Sequence, residues 1–336
     1  MTTLIFDLET NGLLEELNTV HSLVIKDHDT NEVFSYGPNE ISIGLDKLKT
    51  ADKIVGHNIL KFDLPAIKKV YPDFEYKNDV VDTLVCSRLI WADIKQNDFK
   101  FAQKSDFPMK MVGRHSLASW GFRMGILKTE FETDWVSWSP EMQLYCEQDV
   151  EVTHELYKKI LGKDNSQTAI DLEHEFQKVI MLQERQGFCF DRSRAEALYQ
   201  ILSKRRIDLE EQLQKAFPSW AEEVGEFIPA RDNIRLGYKK GVPVKRIKQF
   251  TFNPASRDHI ANRLQAIRNW KPKEFSANGK PVVDEKVLKE LDYPEAEILA
   301  EYLMISKRTG QLAEGNQAWL KLEKEGKIYG QVITNG

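Results

Sequence analysis

Cysteine is scarce in this chain of 336 residues: there are only 3, Cys86, Cys146 and Cys189, odd in number and far apart. That excludes a disulfide framework and the paired spacing of a zinc site, and it fits reduced thiols in apolar surroundings. Long apolar runs are missing too, since nothing approaches the roughly 20 residues of a membrane helix. Residues 1–4 carry no basic and apolar leader. A cytoplasmic protein without a membrane partner is therefore expected. Nor is positive charge in excess, because 47 Lys and Arg stand against 52 Asp and Glu for a net charge of -5. Global electrostatics thus does not announce a nucleic-acid binder, although a local basic stretch can carry phosphate contacts beside an acidic site. Repeats and low-complexity tracts are absent. A content of 41% hydrophobic and 29% charged residues is that of a soluble globular chain, long enough for two domains with separate cores.

What is present begins with residues 4–10, Leu-Ile-Phe-Asp-Leu-Glu-Thr, a short apolar strand carrying two acids. The period of two puts Asp7 and Glu9 on the face of Ile5, with Phe6 and Leu8 on the other. Paired anions are costly unless a cation holds them, and hard ions such as magnesium or manganese take oxygen ligands. On this stretch alone, two solvated acids before an Asn11-Gly12 turn remain an equal reading.

Along the chain, alternation over 19–26 and 32–36 predicts an antiparallel hairpin continuing from the first strand, and 53–56 a short buried strand ending at His57-Asn58. Helical spacing follows from residue 61, with Asp63 in the first turn. Further helices are expected over 80–91, after His115-Ser116, and from Ser139-Pro140-Glu141 to 161, where an N-cap, a proline at N1 and an acid coincide. Strands first and helices around them make residues 1–165 an α/β layer. Beyond a polar break at 162–166 the chain reads as mainly helical: 172–185, an amphipathic helix over 192–217 with Lys204, Arg205 and Arg206 on its polar side, a helix capped at 253–256, and an interrupted run over 295–323. Residues 218–249 read as irregular and basic, and 331–336 as the start of a strand and turn.

Two further segments turn the first acids into a constellation. Residues 57–63, His-Asn-Ile-Leu-Lys-Phe-Asp, set an acid at a helix start, and Tyr145-Cys146-Glu147-Gln148-Asp149 sets a phenol and an acid four apart on one helix face. In chain order this resembles the DEDDy exonucleases, an RNase H-like α/β fold with a mixed sheet. The resemblance implies two divalent metal ions (magnesium or manganese), with Asp7 bridging, Glu9 and Asp149 on the metal that activates water, and Asp63 supporting the second. It implies that Tyr145 orients the water, so that His57 is structural, and that Thr10, Leu13, Asn58 and Phe62 meet the substrate, Leu13 by wedging against the terminal base. Trp120, Trp135 and Trp138 are expected to pack in the core or a lid rather than stack on bases.

The second half carries Glu184-Arg185-Gln186-Gly187-Phe188-Cys189-Phe190-Asp191, Phe252-Asn253-Pro254-Ala255-Ser256-Arg257-Asp258, Asn278-Gly279-Lys280-Pro281 and Glu301-Tyr302-Leu303-Met304-Ile305-Ser306-Lys307-Arg308. These resemble the start of the polymerase region of family A DNA polymerases of the bacteriophage T-seven type. The resemblance implies a 3′-to-5′ proofreading exonuclease over 1–165, then the first palm segment and a helical thumb over 166–336. Its partners would be DNA, as a single-stranded 3′ end and a primer-template, with Lys307 and Arg308 on the backbone. Thioredoxin, gripped by a long thumb insertion in the phage enzyme, is not expected, because the basic insertion at 218–249 is short. Polymerase motifs do not occur before residue 336, so either this is a cut piece of a longer chain or, the reading favoured here, a split enzyme completed by a separate C-terminal fragment is expected. A free-standing DEDD nuclease acting on RNA and a non-catalytic scaffold are the alternatives.

Overall fold

The computed structural model describes residues 1–103, 105–126, 135–276 and 278–332. It divides into two compact units, one of Met1–Gln186 with the stretch from Gly330, the other Gly187–Tyr329. In the first unit the opening strand β1 (Thr3–Thr10) lies at the centre of a five-stranded mixed sheet. The strands β2 (Val20–Asp27) and β3 (Val33–Tyr36) form the expected antiparallel meander. After helix α1 (Ile41–Lys49), β4 (Lys53–Gly56) joins β1 in parallel. Beyond α2 (Asp63–Val70), β5 (Asp79–Asp82) joins β4 in parallel. Then come α3 (Thr83–Ile90), α4 (Ile94–Ala102), α5 (Leu117–Met124), α6 (Pro140–Leu161) and α7 (Gln167–Gln186).

Both faces of the sheet are covered, as parallel pairing demands. Leu4, Phe6 and Leu8 of β1 pack with Leu48 of α1 and Ile67 of α2 on one side. On the other, Ile5, Val24 and Val55 meet Cys146, Val150 and Tyr157 of α6. The face of β1 that bears the acids is therefore the face α6 covers. Helix α6 starts where its sequence dictates: Ser139 Oγ accepts the Met142 amide at 3.2 Å, and Pro140 and Glu141 occupy the first turn.

The second unit holds β6 (Phe188–Cys189), α8 (Arg192–Ala216), β7 (Trp220–Phe227), β8 (Val244–Phe250), α9 (Arg257–Arg268), α10 (Glu285–Lys289), α11 (Pro294–Thr309), α12 (Trp319–Leu322), β9 (Glu323–Lys324) and β10 (Lys327–Ile328). Leu209, Leu213 and Phe217 of α8 pack with Ile260 and Leu264 of α9 and Leu299 and Leu303 of α11. Gly187 is required where it stands, at φ +68°, since a Cβ would sit 3.0 Å from the Tyr329 ring.

Several expectations are corrected. The run from Val80 opens with strand β5, and the helix begins only after Asp82, whose carboxylate caps it. Helices α1, α4 and α10 were not anticipated. Residues 218–249 are no irregular loop but hold the antiparallel ribbon β7–β8. Its strands bury almost nothing on either side, so they show no alternation of apolar residues. Cys189 is exposed, whereas Cys86 and Cys146 are buried. Most of the strand and turn expected at 331–336 lies outside the described residues. Among the described residues no helix is long and apolar enough to cross a membrane.

Candidate active site

Strand β1 brings Asp7 and Glu9 half-buried to the face under α6, and the pairing with β2 shifts register between Glu9 and Thr10. Such a bulge re-aims side chains at a strand end. One ligand atom from each of Asp7, Glu9 and Cys146 lies within 4.8 Å of the others. The Cys146 thiol donates to the Asp7 carbonyl at 3.4 Å and has Asp7 Oδ2 at 3.8 Å. Asp149 follows on α6 and is buried, as is Asp63 at the start of α2. Burial raises the Cys146 thiol well above its ordinary range, and Asp7, Glu9, Asp149 and Asp63 raise it further. All four carboxylates thus act electrostatically on one thiol, Asp7 and Glu9 from within 4.8 Å of it. Tyr145 stands one residue before it, half-buried, its ring edge-on to Trp135 at 6.2 Å.

Asp63 shows what this crowding costs. Burial pushes its carboxyl up to about 8, with Asp82 and Asp149 adding and the amides of Asp63 and Leu8 opposing. The folded, metal-free chain thus keeps a proton that the unfolded chain releases near 3.8, so this group's contribution to stability is complete below about pH 4 and is lost as pH rises to about 8. In chelator, the melting temperature should fall from pH 5 to pH 8 more steeply in the parent than in Asp63→Asn. Manganese should stabilise the parent more at pH 8 than at pH 5. Parallel melting curves for the two proteins would refute the assignment.

The segment before Asp63 is anchored by an acid that the sequence reading did not single out. Asp82, 1% exposed, accepts the amides of Asn58 at 2.9 Å and Leu60 at 3.1 Å while capping α3 through Leu84 at 2.9 Å. Its own amide donates to His174 Nε2 at 2.8 Å, and His174 Nδ1 donates to the Ile170 carbonyl at 2.8 Å. Thr83 Oγ1 donates to the Gly56 carbonyl at 3.1 Å and so accepts from His57 Nδ1 at 2.9 Å. His57 is thereby tied at the strand end. A Cβ on Gly56 would lie 2.9 Å from the Phe6 carbonyl, so only glycine lets β4 run this close to β1 here.

Of the other anticipated residues, Thr10 is buried and closes the turn by donating to the Gly12 carbonyl at 2.8 Å. Leu13 is 71% exposed beyond it, Asn58 is half-buried at φ +68°, and Phe62 packs against the core. Lys307 and Arg308 are exposed on the last turn of α11, in the second unit. Arg205 and Arg206 of α8 instead make forked pairs with Glu301 and Glu314. Trp120 is buried in the core. Cys146, Asp82 and His174 were missed; the Asp82-Thr83-Leu84 sequence at a strand end is the one capping signal that could have found Asp82.

No protein-family model matches the chain. Two curated proteins do, the DNA-directed DNA polymerases of Enterobacteria phage T3 and Escherichia phage T7, each 32% identical over 424 residues covering 99% of this chain. This chain is similar to these phage DNA polymerases over almost its whole length. It spans 60% of the length of each. The alignment is longer than the 336 residues of this chain, so the phage proteins carry sequence within the matched stretch that is missing here. Among solved structures, the POL domain of Pol1 from M. smegmatis in complex with DNA primer-template and dNTP aligns over 96% of this chain and 48% of its own, with a TM-score of 0.52 and 11% identity. That likeness concerns the fold alone. Brucella melitensis NrnC bound to pGG aligns over 53% of this chain and 77% of its own with a TM-score of 0.34 and 16% identity, too loosely to bear on it.

Proposed function

We propose that the first unit is a DEDDy-type, RNase H-like 3′-to-5′ exonuclease that shortens DNA from its 3′ end, the proofreading part of a phage-type family A polymerase. The mainly helical remainder is then the first palm segment and thumb. One observation carries the reading: in a chain similar to phage DNA polymerases over 99% of its length, Asp7 and Glu9 bring ligand atoms within 4.8 Å of Cys146 where β1 meets α6, and buried Asp63 and Asp149 act electrostatically on the same thiol. Like charges gathered in a buried place need a counter-ion, and carboxylate oxygens fit magnesium or manganese. Two such ions, when bound, lower the pKa of a water and offset charge on the leaving 3′ oxygen.

The residues divide the work. Asp7, Glu9, Asp63 and Asp149 would hold the ions, Asp63 in its ionised form. Tyr145 orients the attacking water through its hydroxyl. Thr10, Leu13, Asn58 and Phe62 flank the terminal nucleotide, and Lys307 and Arg308 meet phosphates of the primer-template. In this reading DNA synthesis belongs to the part of the relatives' length outside the matched stretch. A thioredoxin partner does not belong to this reading, because the ribbon at 218–249 is short.

Digestion of a 5′-labelled DNA strand, matched or mismatched at its 3′ end, is the test. A ladder receding from the 3′ end in magnesium and absent in chelator is expected. Intact DNA with either magnesium or manganese would overturn the reading, and cleavage confined to RNA would move the chain to another nuclease class.

A further inference from the structure

Farther along α6, on residues the exonuclease reading does not use, lies a second group of metal-ligand type. Glu151, His154 and Glu155 bring one nitrogen or oxygen each to within 4.8 Å of one another. Their spacing is i, i+3 and i+4, so one helix face presents all three, and Glu-x-x-His on a helix is a recurrent metal-binding arrangement.

The histidine adds an independent observation. His154 is 0% exposed, and its Nδ1 has no hydrogen-bond partner. Its Nε2 faces His28 Nδ1 at 3.1 Å, just past the end of β2. A buried polar nitrogen without a partner is costly, and hydrogen bonding to His28 does not relieve it. If Nε2 carries the proton and donates to His28, the lone pair of Nδ1 is directed away from that bond. This is how metal-bound histidines are arranged, one nitrogen on the ion and the other N–H fixed by a neighbour. Burial, with Lys158, Lys26 and His28 adding, holds the His154 pKa down at about 4, so the ring is neutral at physiological pH.

Both carboxylates are partly engaged. Lys26 pairs with Glu151 through Oε2, and Lys158 with Glu155 through Oε1 at 2.7 Å. Each glutamate retains its second oxygen, and each is only partly buried, which leaves an approach from solvent. The lysines already offset the two negative charges. A site so balanced has little pull on magnesium, which seeks anionic oxygen, and favours an ion that bonds imidazole.

We propose that Glu151, His154 and Glu155 form a second metal site, for a zinc-class cation, with His154 Nδ1 as nitrogen ligand, one oxygen from each glutamate, and His28 fixing the ring. The bound ion would clasp α6 to the end of β2. Three protein ligands leave a fourth position for water in a tetrahedral zinc site.

The test titrates the full chain with zinc by calorimetry, and with cobalt by visible absorption, under excess magnesium and in the Asp7→Ala and Cys146→Ala backgrounds. These conditions remove any contribution from the Asp7, Glu9 and Cys146 group. One saturable equivalent should persist, with the cobalt bands of a four-coordinate site. Glu151→Gln and Glu155→Gln should each weaken zinc binding at least about tenfold, and His28→Ala by about 10–100-fold. Both glutamates are partly exposed, so these variants should fold even if a His154 variant does not, and circular dichroism checks this. Absence of the equivalent in the Asp7→Ala background, or zinc affinity unchanged in both Glu→Gln variants, overturns the proposal.

Discussion

The Asp7→Ala variant is expected to lose metal-dependent digestion of a DNA 3′ end by at least about a thousandfold, more than one hydrogen-bond donor is worth at a reacting centre, because in the proposed exonuclease the lost group holds the ions themselves. Its fold should survive. Asp7 is half-buried on β1, and the strand is fixed by Leu4, Phe6 and Leu8 beneath the sheet and Ile5 above it, none of which needs the carboxylate. Removing one anion from the group of Glu9, Asp63 and Asp149 relieves repulsion, so in chelator the variant should melt at or slightly above the parent. Manganese should then raise its melting temperature far less than the parent's. Single-turnover digestion and melting with and without manganese separate the cases. A parental rate in Asp7→Ala would refute the active-site assignment, and a collapsed melting temperature would mean that the carboxylate is structural.

Why the strand, the hairpin and the long helix were legible while other parts were not comes down to where each signal resides. The alternation of 4–10, the Ser139-Pro140-Glu141 start and the i, i+4 pair of Tyr145 and Asp149 are local, and each reports a face or a cap directly. Strand β5 is four residues at the sheet edge, and its two valines continue without a break into the apolar face of α3. Only the capping role of Asp82 marks the boundary between them. The ribbon β7–β8 has no buried side, so its strands carry no hydrophobic period. The identity of its cross-strand partners, such as Lys245 with Glu223, emerges only in the fold. Cys146 joins the site for a similar reason. A cysteine inside an apolar helix face reads as core, and only the packing of α6 on β1 brings its sulfur against Asp7.

Asp82→Ala should be among the most damaging single changes outside the acidic cluster, although Asp82 touches no substrate in this reading. Its carboxylate is 1% exposed and satisfies the amides of Asn58, Leu60 and Leu84, so alanine leaves those donors buried and unpaired together. A loss of about 3–5 kcal/mol in unfolding free energy is expected, at roughly 1–3 kcal/mol for each stranded donor with partial relief by relaxation. One effect opposes this. Burial raises the Asp82 carboxyl, and its charge presses on Asp63, so removing it relieves both groups. The amides should win, because all three donate to this one carboxylate, while the Asp63 penalty can be met by protonation. Asp82→Asn decides between the terms. It removes the charge and keeps an acceptor oxygen, but turns an amide group toward backbone donors, so it should fall between alanine and the parent. The functional consequence follows from position: Asn58, held at φ +68°, begins the turn that ends at Asp63. With that turn released, manganese affinity and digestion rate should drop together in Asp82→Ala. Urea unfolding in chelator gives the stability change, and an alanine variant within about 1 kcal/mol of the parent would show that the turn is held by its own packing instead.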